Sequence, residues 1–358
     1  MINATNYVLK NINLQNFMEY FFVKIIKPKI TKTMKNLKLA MATTMLFAGI
    51  SCEKLNDSVT PASQQDPNVP KGDVRIGITD APIDDSNVSA AFVTITEVRL
   101  DGKVYDAFKG PKTVNLLQLQ NGNSLTLGEG KFQTGSFSKL TLVLDYGKDQ
   151  NGNAPGCYVQ KTDGAKEALV ISGNARQEIE ITAKKFDISG SGVTDLMIDF
   201  DLRKAIKEKN ENSKKSYAFV TYGELQSSIR LVNRNSTGEI VGKISNYSTT
   251  TNGQVIVYVY KKGAFNQNSE VKGQGDSDVT FKNAVTSAKV DASGNFKIAF
   301  LEEGDYELHC VSNKNASGAI IDFNSFLNLN SNLDLKSISV KSNTQVSLSL
   351  TIKGLIGL

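Results

Sequence analysis

Tryptophan is absent from this 358-residue chain, histidine occurs once (His309) and cysteine occurs three times (Cys52, Cys157 and Cys310). Because histidine is the commonest general base and a frequent metal ligand, a catalytic triad or a zinc cluster would have to form around one residue. The lack of tryptophan also removes the large flat ring that often supplies contact energy to bound sugars. We therefore expect a protein without a catalytic centre, a metal or a cofactor.

An excess of charge of one sign is also missing once the amino-terminal region is set aside. Residues 1–51 contain seven lysines and one acidic residue, Glu19, a net charge of +6, whereas the whole chain carries only +5. The remainder is therefore nearly neutral, and nucleic acid is not an expected partner. Cys157 and Cys310 lie in different candidate domains, so we predict two small buried hydrophobic residues and no disulfide framework.

What the sequence does contain is a short apolar run behind two lysines. Lys35 and Lys38 precede the run at residues 39–51, and Cys52 follows it directly. Positive charge, an apolar stretch of about a dozen residues and small residues at its end are the three parts of a secretory signal. The run is too short for a bilayer, which takes about 20 apolar residues. Residues 34–51 are therefore predicted to be a signal peptide.

The end of the run, Ala48-Gly49-Ile50-Ser51-Cys52, resembles the lipobox of bacterial lipoproteins, with Gly49 where leucine is usual. The resemblance implies that the Cys52 sulfur carries a diacylglyceryl group and that two or more acyl chains make the membrane a partner. Glu53 stands where an inner-membrane retention signal has aspartate, so the implied location is the outer membrane of the cell envelope. An ordinary signal peptide, or a buried apolar helix with an incidental Cys52, are the alternatives.

The residues on both sides of this signal lack the pattern of a folded core. A complete signal begins at Met34, so residues 1–33 are interpreted as a misassigned start or an unstructured extension, with a functional extension as the alternative. Residues 52–71 place Pro61, Pro67 and Pro70 among polar residues. This composition predicts a disordered tether behind the acylated cysteine.

From residue 72 onward the pattern is that of an all-β protein. Apolar residues alternate with a period of two in short runs, most clearly at 74–78, 93–100, 140–144 and 196–200, and Gly, Asn and Asp interrupt them. The second run changes phase, which a β-bulge near Thr96-Glu97 would explain. One short helix is predicted at 202–209.

The polar stretch at 233–237 divides this region. We place a domain boundary there and predict two β-sandwich domains, residues 72–233 and 238–352. Strands of the second domain are predicted at 240–244, 255–260, 296–300, 306–311 and 346–352, with a long loop at 312–336.

The first domain resembles the bacterial lipoprotein domains known as domain of unknown function 4382. The likeness covers roughly residues 72–233 and rests on Thr79-Asp80-Ala81-Pro82, the runs 93–98 and 114–119, Gly135-Ser136-Phe137 and Ile198-Asp199-Phe200-Asp201. That family has no assigned activity, so the resemblance implies a location and an architecture without a chemistry.

The second domain resembles transthyretin-like or carboxypeptidase-regulatory-like sandwiches. The likeness is carried by Asp291, Gly294, Phe296, Ile298, Leu301, Gly304, Tyr306 and Leu308. It implies a spacer or adhesion unit, and some relatives of this kind bind glycans.

The main candidate for a site is the acidic set Asp195, Asp199 and Asp201. Strand alternation places all three on one face, and carboxylates two residues apart on a strand stand about 6.5–7 Å apart. That distance suits an inverting glycosidase pair or calcium ligands. The interpretation we adopt is a solvent-facing row, with Asp201 capping the helix that follows.

Other polar residues have local explanations. His309 is expected on the outer face of its strand, opposite Tyr306, Leu308 and Cys310. The loop at 145–153 lacks the terminal glutamate of an EF-hand. Asp80 is expected to bond to its own turn.

These observations predict a non-catalytic, lipid-anchored envelope protein that acts as a binding or adhesion module for a protein or glycan ligand. Two alternatives stay open. One is a structural fimbrial-type subunit whose groove accepts a strand from a neighbour. The other is a hydrolase built on the face that carries Asp195, Asp199 and Asp201.

Overall fold

Strands and the loops between them account for nearly all of the part of the chain that the computed structural model describes, which is residues 62–356 without 84, 86, 172–175, 212–213 and 315–319. The predicted all-β fold class is confirmed. The signal, Cys52, the residues before the signal and the tether up to residue 61 lie outside the described residues. Within the described residues, no helix is long and apolar enough to cross a membrane.

The first module, residues 71–233, contains thirteen described strands and three short helical turns. The strands are β1 (Lys71–Ala81), β2 (Val88–Leu100), β3 (Lys103–Val104), β4 (Lys112–Asn115), β5 (Leu125–Gln133), β6 (Gly135–Leu144), β7 (Tyr158–Lys161), β8 (Lys166–Ala168), β9 (Glu178–Ile188), β10 (Val193–Asp201), β11 (Ile206–Glu211), β12 (Lys214–Phe219) and β13 (Ile229–Asn233). The helical turns are a 3-10 turn at Leu116–Leu119, α1 (Leu202–Ala205) and α2 (Tyr222–Ser227).

Two sheets of this module pack face to face. One has the order β13-β10-β1-β5, with β1 parallel to β10, and the other has the order β8-β7-β2-β6-β9, with β3 and β4 beside β2. Alternate apolar side chains from both sheets, such as Ile76 and Leu142, share one buried core. The predicted bulge in β2 is confirmed by a register shift between Ile95 and Glu97.

The second module, residues 237–356, contains eight described strands. They are β14 (Thr237–Ile244), β15 (Val255–Lys261), β16 (Thr286–Lys289), β17 (Asn295–Glu302), β18 (Gly304–Lys314), β19 (Ile320–Ser331), β20 (Ile338–Val340) and β21 (Gln345–Ile356). Two short helices, α3 (Thr249–Asn252) and α4 (Gln267–Glu270), lie before and after β15. The sheet order is β16-β15-β18-β19-β21-β14-β17, with β20 beside β18.

This second sheet has its own core on its inner side and carries a further apolar layer on its outer side. Val257, Leu308 and Leu350 belong to the inner core. On the outer side, Tyr258 and Tyr260 pack against residues of the loop at 262–285, which we call the covering loop. Both faces of β15 are therefore buried, which explains why its run is apolar throughout.

Two predicted elements differ from those observed. Strand β19 occupies much of the stretch at 312–336 that was expected to be a loop. Leu327 and Leu329 pack on the core while Asn328 and Asn330 face outward, so an Asn-rich segment still has the alternation of a strand. The helix predicted at 202–209 ends at Ala205, because Ile206 already pairs with Phe219 in the β11–β12 hairpin.

The folded part also begins before residue 72. The backbone of Ser63 bonds to Gly102 and Val104, and the Gln65 side chain bonds to the Val104 carbonyl and to Asp106. This part of the predicted tether is therefore attached to β3.

A 3-10 turn at Arg234–Ser236 separates the strands of the two modules, at the position predicted for the boundary. Apolar contacts cross this boundary. Val279 of the covering loop belongs to the core of the first module, and Phe300 of β17 packs with Met197 and Val232. The division into two domains stays a prediction.

Candidate functional site

The acidic set lies on strand β10, in the middle of the first module's sheet. Its alternation is as predicted, because Leu196, Ile198 and Phe200 point into the core. The acidic side chains project from the opposite face, and we call them the acidic strip, comprising Asp195, Asp199 and Asp201. Asp199 and Asp201 are each only 3% exposed, so the expectation of a solvent-facing row is wrong.

Asp195 is the outermost member of the acidic strip. Its Oδ2 atom lies 3.3 Å from Nη1 of Arg75 and 3.9 Å from Nη1 of Arg234. Arg75 also pairs with Glu129, at 3.0 Å. These pairs are partly open to solvent, so they contribute little to stability individually.

Asp199 forms a shorter and more buried pair. Its Oδ2 atom accepts from Nε of Arg230 at 2.6 Å, and Nη1 of Arg230 donates to the carbonyl oxygen of Phe300 at 3.0 Å. Arg230 is the residue opposite Asp199 in the β10–β13 ladder, so strand register brings the charges together. Through Arg230, the carboxylate is connected to strand β17 of the second module.

Asp201 makes the most enclosed contacts of the strip. Its Oδ2 atom lies 2.8 Å from Nη2 of Arg203 and 3.4 Å from Nζ of Lys204. Nη1 of Arg203 donates to the Phe281 carbonyl at 2.7 Å, and Nζ of Lys204 donates to the Ala284 carbonyl. Burial lowers the pKa of Lys204, while the Asp201 carboxylate opposes that shift. Both cations thereby attach the covering loop to α1.

The predicted helix cap at Asp201 is also wrong, because its side chain makes no bond to the helix backbone. Asp80 occupies that role from the neighbouring strand β1, since its Oδ1 atom accepts the Leu202 N–H at 3.2 Å. The expected local bond of Asp80 to its own turn is therefore corrected. Burial raises the pKa of the Asp80 carboxyl well above its usual range, although the hydrogen bond from the Leu202 N–H opposes that shift.

Thr79, next to Asp80, holds a loop that reaches the second module. Its hydroxyl lies 3.0 Å from the Leu119 carbonyl and 2.7 Å from the Asn123 carbonyl. Between these two carbonyls the chain turns through Asn121 and Gly122, both with positive φ. A Cβ atom on Gly122 would lie 2.8 Å from the Lys297 side chain, so the turn lies directly on strand β17.

This arrangement joins the two modules. Each carboxylate of the acidic strip is paired with arginine or lysine, and three of those cations bond to carbonyls of the second module. In the part of the chain that is described, no group of three His, Cys, Asp or Glu residues could hold a metal ion. The arginine and lysine side chains neutralise the buried carboxylates at the interface between the two modules.

His309 is less exposed than predicted. Its ring stacks on Phe265 of the covering loop with a centroid distance of 3.6 Å, and it lies 3.7 Å from Glu307. Burial lowers the pKa of the imidazole, and Glu307 opposes the shift. The outward orientation predicted for His309 is confirmed, but the covering loop packs on this outer face of β18, so the histidine is only partly exposed.

The two cysteines of the modules are buried free thiols, as predicted. Burial raises the pKa of Cys157 and of Cys310 to about 12. Thiols with such values are poor nucleophiles near neutral pH.

Sequence analysis located the acids and missed their partners. Arg203 lies two residues after Asp201, which was a local signal for the pair. Arg230 could be matched to Asp199 only by assuming that β10 pairs with β13. The carbonyls of Phe281 and Phe300 carry no signal in the sequence at all.

Two grooves lie on either side of the Asn121-Gly122 turn, on the outer face of β14, β17 and β21. One has a volume of about 420 Å³ and is lined by Asn121, Val241, Lys243, Asp291 and Ser347 among others. The second has a volume of about 270 Å³, and both grooves include Lys297.

Residues 71–219, which span β1 to β12, match a protein family described as Domain of unknown function (DUF4382). The predicted resemblance of the first module is confirmed over these residues. A search of curated proteins found no match.

Several solved structures show a limited similarity. The TIE protein of Bacillus anthracis is 13% identical with a TM-score of 0.18, and the match covers 79% of this chain but only 34% of that protein. The minor pilin GBS52 of Streptococcus agalactiae is 13% identical with a TM-score of 0.19, covering 79% of this chain and 97% of the pilin. The fimbrial anchor protein Mfa2 of Porphyromonas gingivalis is 10% identical with a TM-score of 0.16. That match covers 79% of this chain and 96% of Mfa2. At these TM-scores the likeness supports no inference about this chain.

Proposed function

We propose that this chain is a non-catalytic, lipid-anchored protein of the cell envelope whose two modules form one binding or adhesion unit. The observation that carries the proposal is the pairing of the acidic strip. Asp199 and Asp201 use their charges to hold Arg203, Lys204 and Arg230 against backbone carbonyls of the second module.

This pairing supports binding over hydrolysis. A glycosidase needs one carboxyl group protonated beside the bond that is cleaved and a second, ionised carboxylate facing it. Asp199 and Asp201 are instead enclosed, and each is hydrogen-bonded to the guanidinium group of an arginine. His309 is stacked within an aromatic cluster and both thiols are buried. The hydrolase alternative therefore has no supporting geometry among the described residues.

The lipid anchor and the outer-membrane location rest on the sequence around Cys52. The lipobox-like end of the signal supports acylation of Cys52. The second module is proposed to be a transthyretin-like or carboxypeptidase-regulatory-like sandwich because Asp291, Gly294 and Gly304 occupy turns at the ends of β17, as that pattern requires.

The fimbrial alternative requires an open strand edge. The edge strands of the second sheet are β16 and β17. Strand β16 contacts β1, and Arg230 bonds to the carbonyl of Phe300 in β17. Because the first module covers parts of both edges, the described residues favour a binding unit over a donor-strand acceptor.

Replacing Cys52 with serine tests the anchor. Cells that produce the full chain are labelled with a palmitate analogue, and Cys157→Ser is the matched control because that thiol is buried. We expect the label in the wild type and in Cys157→Ser, and its loss in Cys52→Ser. Continued labelling of Cys52→Ser would contradict the lipid assignment.

The binding function is tested with the full chain incorporated into lipid vesicles. These vesicles are incubated with envelope proteins and with a glycan panel, and any retained ligand is recovered and examined for cleavage. We expect at least one ligand to be retained and recovered intact. Turnover of that ligand, or retention of none, would contradict the proposal.

A further inference from the structure

Two phenylalanines of the second module have an unusual backbone conformation. Among the described residues, six residues other than glycine have a positive φ, and four of them are Asp or Asn, which tolerate it. The other two are Phe281, with φ at +49°, and Phe300, with φ at +57°. This conformation is strained for a bulky side chain, so the surrounding structure must hold both residues in place.

At Phe300 the strain comes from a bulge in strand β17. The pairing of β14 with β17 shifts register at Glu239, because two residues of β17 lie opposite this one residue. One common class of bulge has glycine at its left-handed position, and here that position is Phe300. Ile298 and Leu301 belong to the core of the second module, whereas the Phe300 ring packs with Met197 of the first module. The bulge therefore turns one aromatic ring from its own module toward the other.

Phe281 lies in the covering loop and is held from two sides within the second module. Its ring stacks on Tyr258 of β15 with a centroid distance of 4.1 Å. Its N–H donates to the carbonyl oxygen of Glu270, at the end of α4, at 2.7 Å. The carbonyl group of Phe281 points instead to the first module, where it meets Arg203.

The carbonyl of each strained residue is bound by an arginine of the first module. Nη1 of Arg203 donates to Phe281 at 2.7 Å, and Nη1 of Arg230 donates to Phe300 at 3.0 Å. Charged donors make stronger hydrogen bonds than neutral ones. Each arginine is itself bound by a carboxylate of the acidic strip, within the first module. Separating the modules at these two points therefore breaks no ion pair of the acidic strip.

We infer that Phe281 and Phe300 form a strained latch between the modules, which Arg203 and Arg230 keep closed. When the latch opens, both phenylalanines return to a negative φ, and the covering loop and the β17 bulge leave the first module. The strain makes the closed interface less stable than its contacts alone would make it. The interface is thus a two-state element that opens while both cores stay folded. This device goes beyond the proposed binding function and does not depend on the ligand.

Paired substitutions at Phe300 measure the strain. Phe300→Ala and Phe300→Gly both remove the ring, but only glycine adopts the left-handed conformation without strain. In urea denaturation of the full chain, we expect an unfolding equilibrium constant about five-fold smaller for Phe300→Gly than for Phe300→Ala. Ala299→Gly is the matched control, because Ala299 lies in the same bulge without a positive φ and glycine should destabilise it. A Phe300→Gly variant no more stable than Phe300→Ala would overturn the latch.

The role of the arginine is tested by repeating this pair in a second background. Arg230→Lys keeps a positive charge beside Asp199 but loses the planar fork that also reaches the Phe300 carbonyl. Arg75→Lys is the control, since Arg75 pairs with the acidic strip without bonding to the second module. We expect the five-fold advantage of glycine to fall below about two-fold in Arg230→Lys and to persist in Arg75→Lys. An undiminished advantage in Arg230→Lys would overturn the assignment of Arg230.

Native-state hydrogen exchange of the full chain tests whether the two strained residues act together. We expect amide groups of the covering loop to exchange at least about ten-fold faster than those of β18. Because one opening releases both points, the covering loop should exchange about five-fold more slowly in Phe300→Gly than in Phe300→Ala. Exchange of the covering loop at the rate of β18, or a covering loop that does not respond to the residue at position 300, would overturn the proposal.

Discussion

At the scale of single residues, Asp149 and Asp291 fold two distant loops in the same way. Each carboxylate accepts the backbone N–H groups two and four positions further on, all at 2.8 Å. The glycine three positions after each aspartate has a positive φ, +85° at Gly152 and +84° at Gly294. These carboxylate oxygens are engaged in their own turns, which accounts for the calcium-like spacing without a metal.

The two glycines provide a matched pair of substitutions. Alanine at either position would lower the free energy of unfolding by about 1 kcal/mol, because a residue with a Cβ atom is strained in the left-handed backbone conformation. A Cβ atom on Gly294 would also lie 2.3 Å from the Ile244 carbonyl oxygen, whereas Gly152 has no neighbour within 4 Å. We expect Gly294→Ala to lower the free energy of unfolding by about 1–3 kcal/mol more than Gly152→Ala. Urea denaturation of both variants measures this, and equal losses would contradict the close contact.

Asp80 predicts a specific dependence of stability on pH. Burial raises the pKa of its carboxyl in the folded state, so this group stabilises the fold fully below its unfolded pKa of about 3.8. That contribution is lost as pH rises toward the folded pKa, because the unfolded chain releases the proton more readily. Asparagine is neutral at every pH and still offers an oxygen to the Leu202 N–H.

We therefore expect the stability of Asp80→Asn, measured against the wild type, to increase between pH 4 and pH 7. Chemical denaturation at several pH values gives the difference in unfolding free energy. Asp73→Asn is the control, since Asp73 forms an exposed pair with Lys131. A difference for Asp80→Asn that does not change with pH would contradict a buried, protonated carboxyl.

At the scale of elements, strand β10 shows which structural features the alternation of apolar residues predicts and which it does not. The period-two pattern correctly predicted a core-facing side and an acidic side. It could not show that the acidic side is buried, because that burial comes from β13 and from the covering loop, which lie 30 to 80 residues further along the chain. Alternation predicts which side chains share a face of a strand, but it does not predict which other elements cover that face.

Removing the charge of Asp199 tests this burial. Asp199→Asn would leave Arg230 without its carboxylate in a largely enclosed position, so we expect a loss of about 3 kcal/mol in unfolding free energy. Asp73→Asn, in a pair whose side chains are 46% and 59% exposed, should change stability by less than about 1 kcal/mol. Equal and small losses in a denaturant titration would restore the solvent-facing interpretation.

The same variant separates an ion pair from a calcium site. Ligand that binds only the folded state raises the melting temperature by mass action. We expect wild type and Asp199→Asn each to melt at the same temperature in excess calcium and in chelator. A calcium-dependent rise in the wild type that disappears in Asp199→Asn would show that the acidic strip binds the cation.

At the scale of the whole molecule, the two modules share more than a linker. Val279 enters the core of the first module, the Asn121-Gly122 turn rests on β17, and Arg203 binds the carbonyl of Phe281. The sequence supported the fold class and most of the long strands, because these follow from local alternation and polar breaks. It gave no indication of these contacts, because they join residues that are far apart in the sequence.

The claim that the modules form one unit is tested most directly by scanning calorimetry of the full chain. Because buried charges, an apolar cluster and a loop cross the interface, we predict one cooperative transition for the β region, with equal calorimetric and van't Hoff enthalpies. Two resolved transitions, one for each module, would show that the modules unfold independently. That result would contradict the account of the acidic strip as the connection between them.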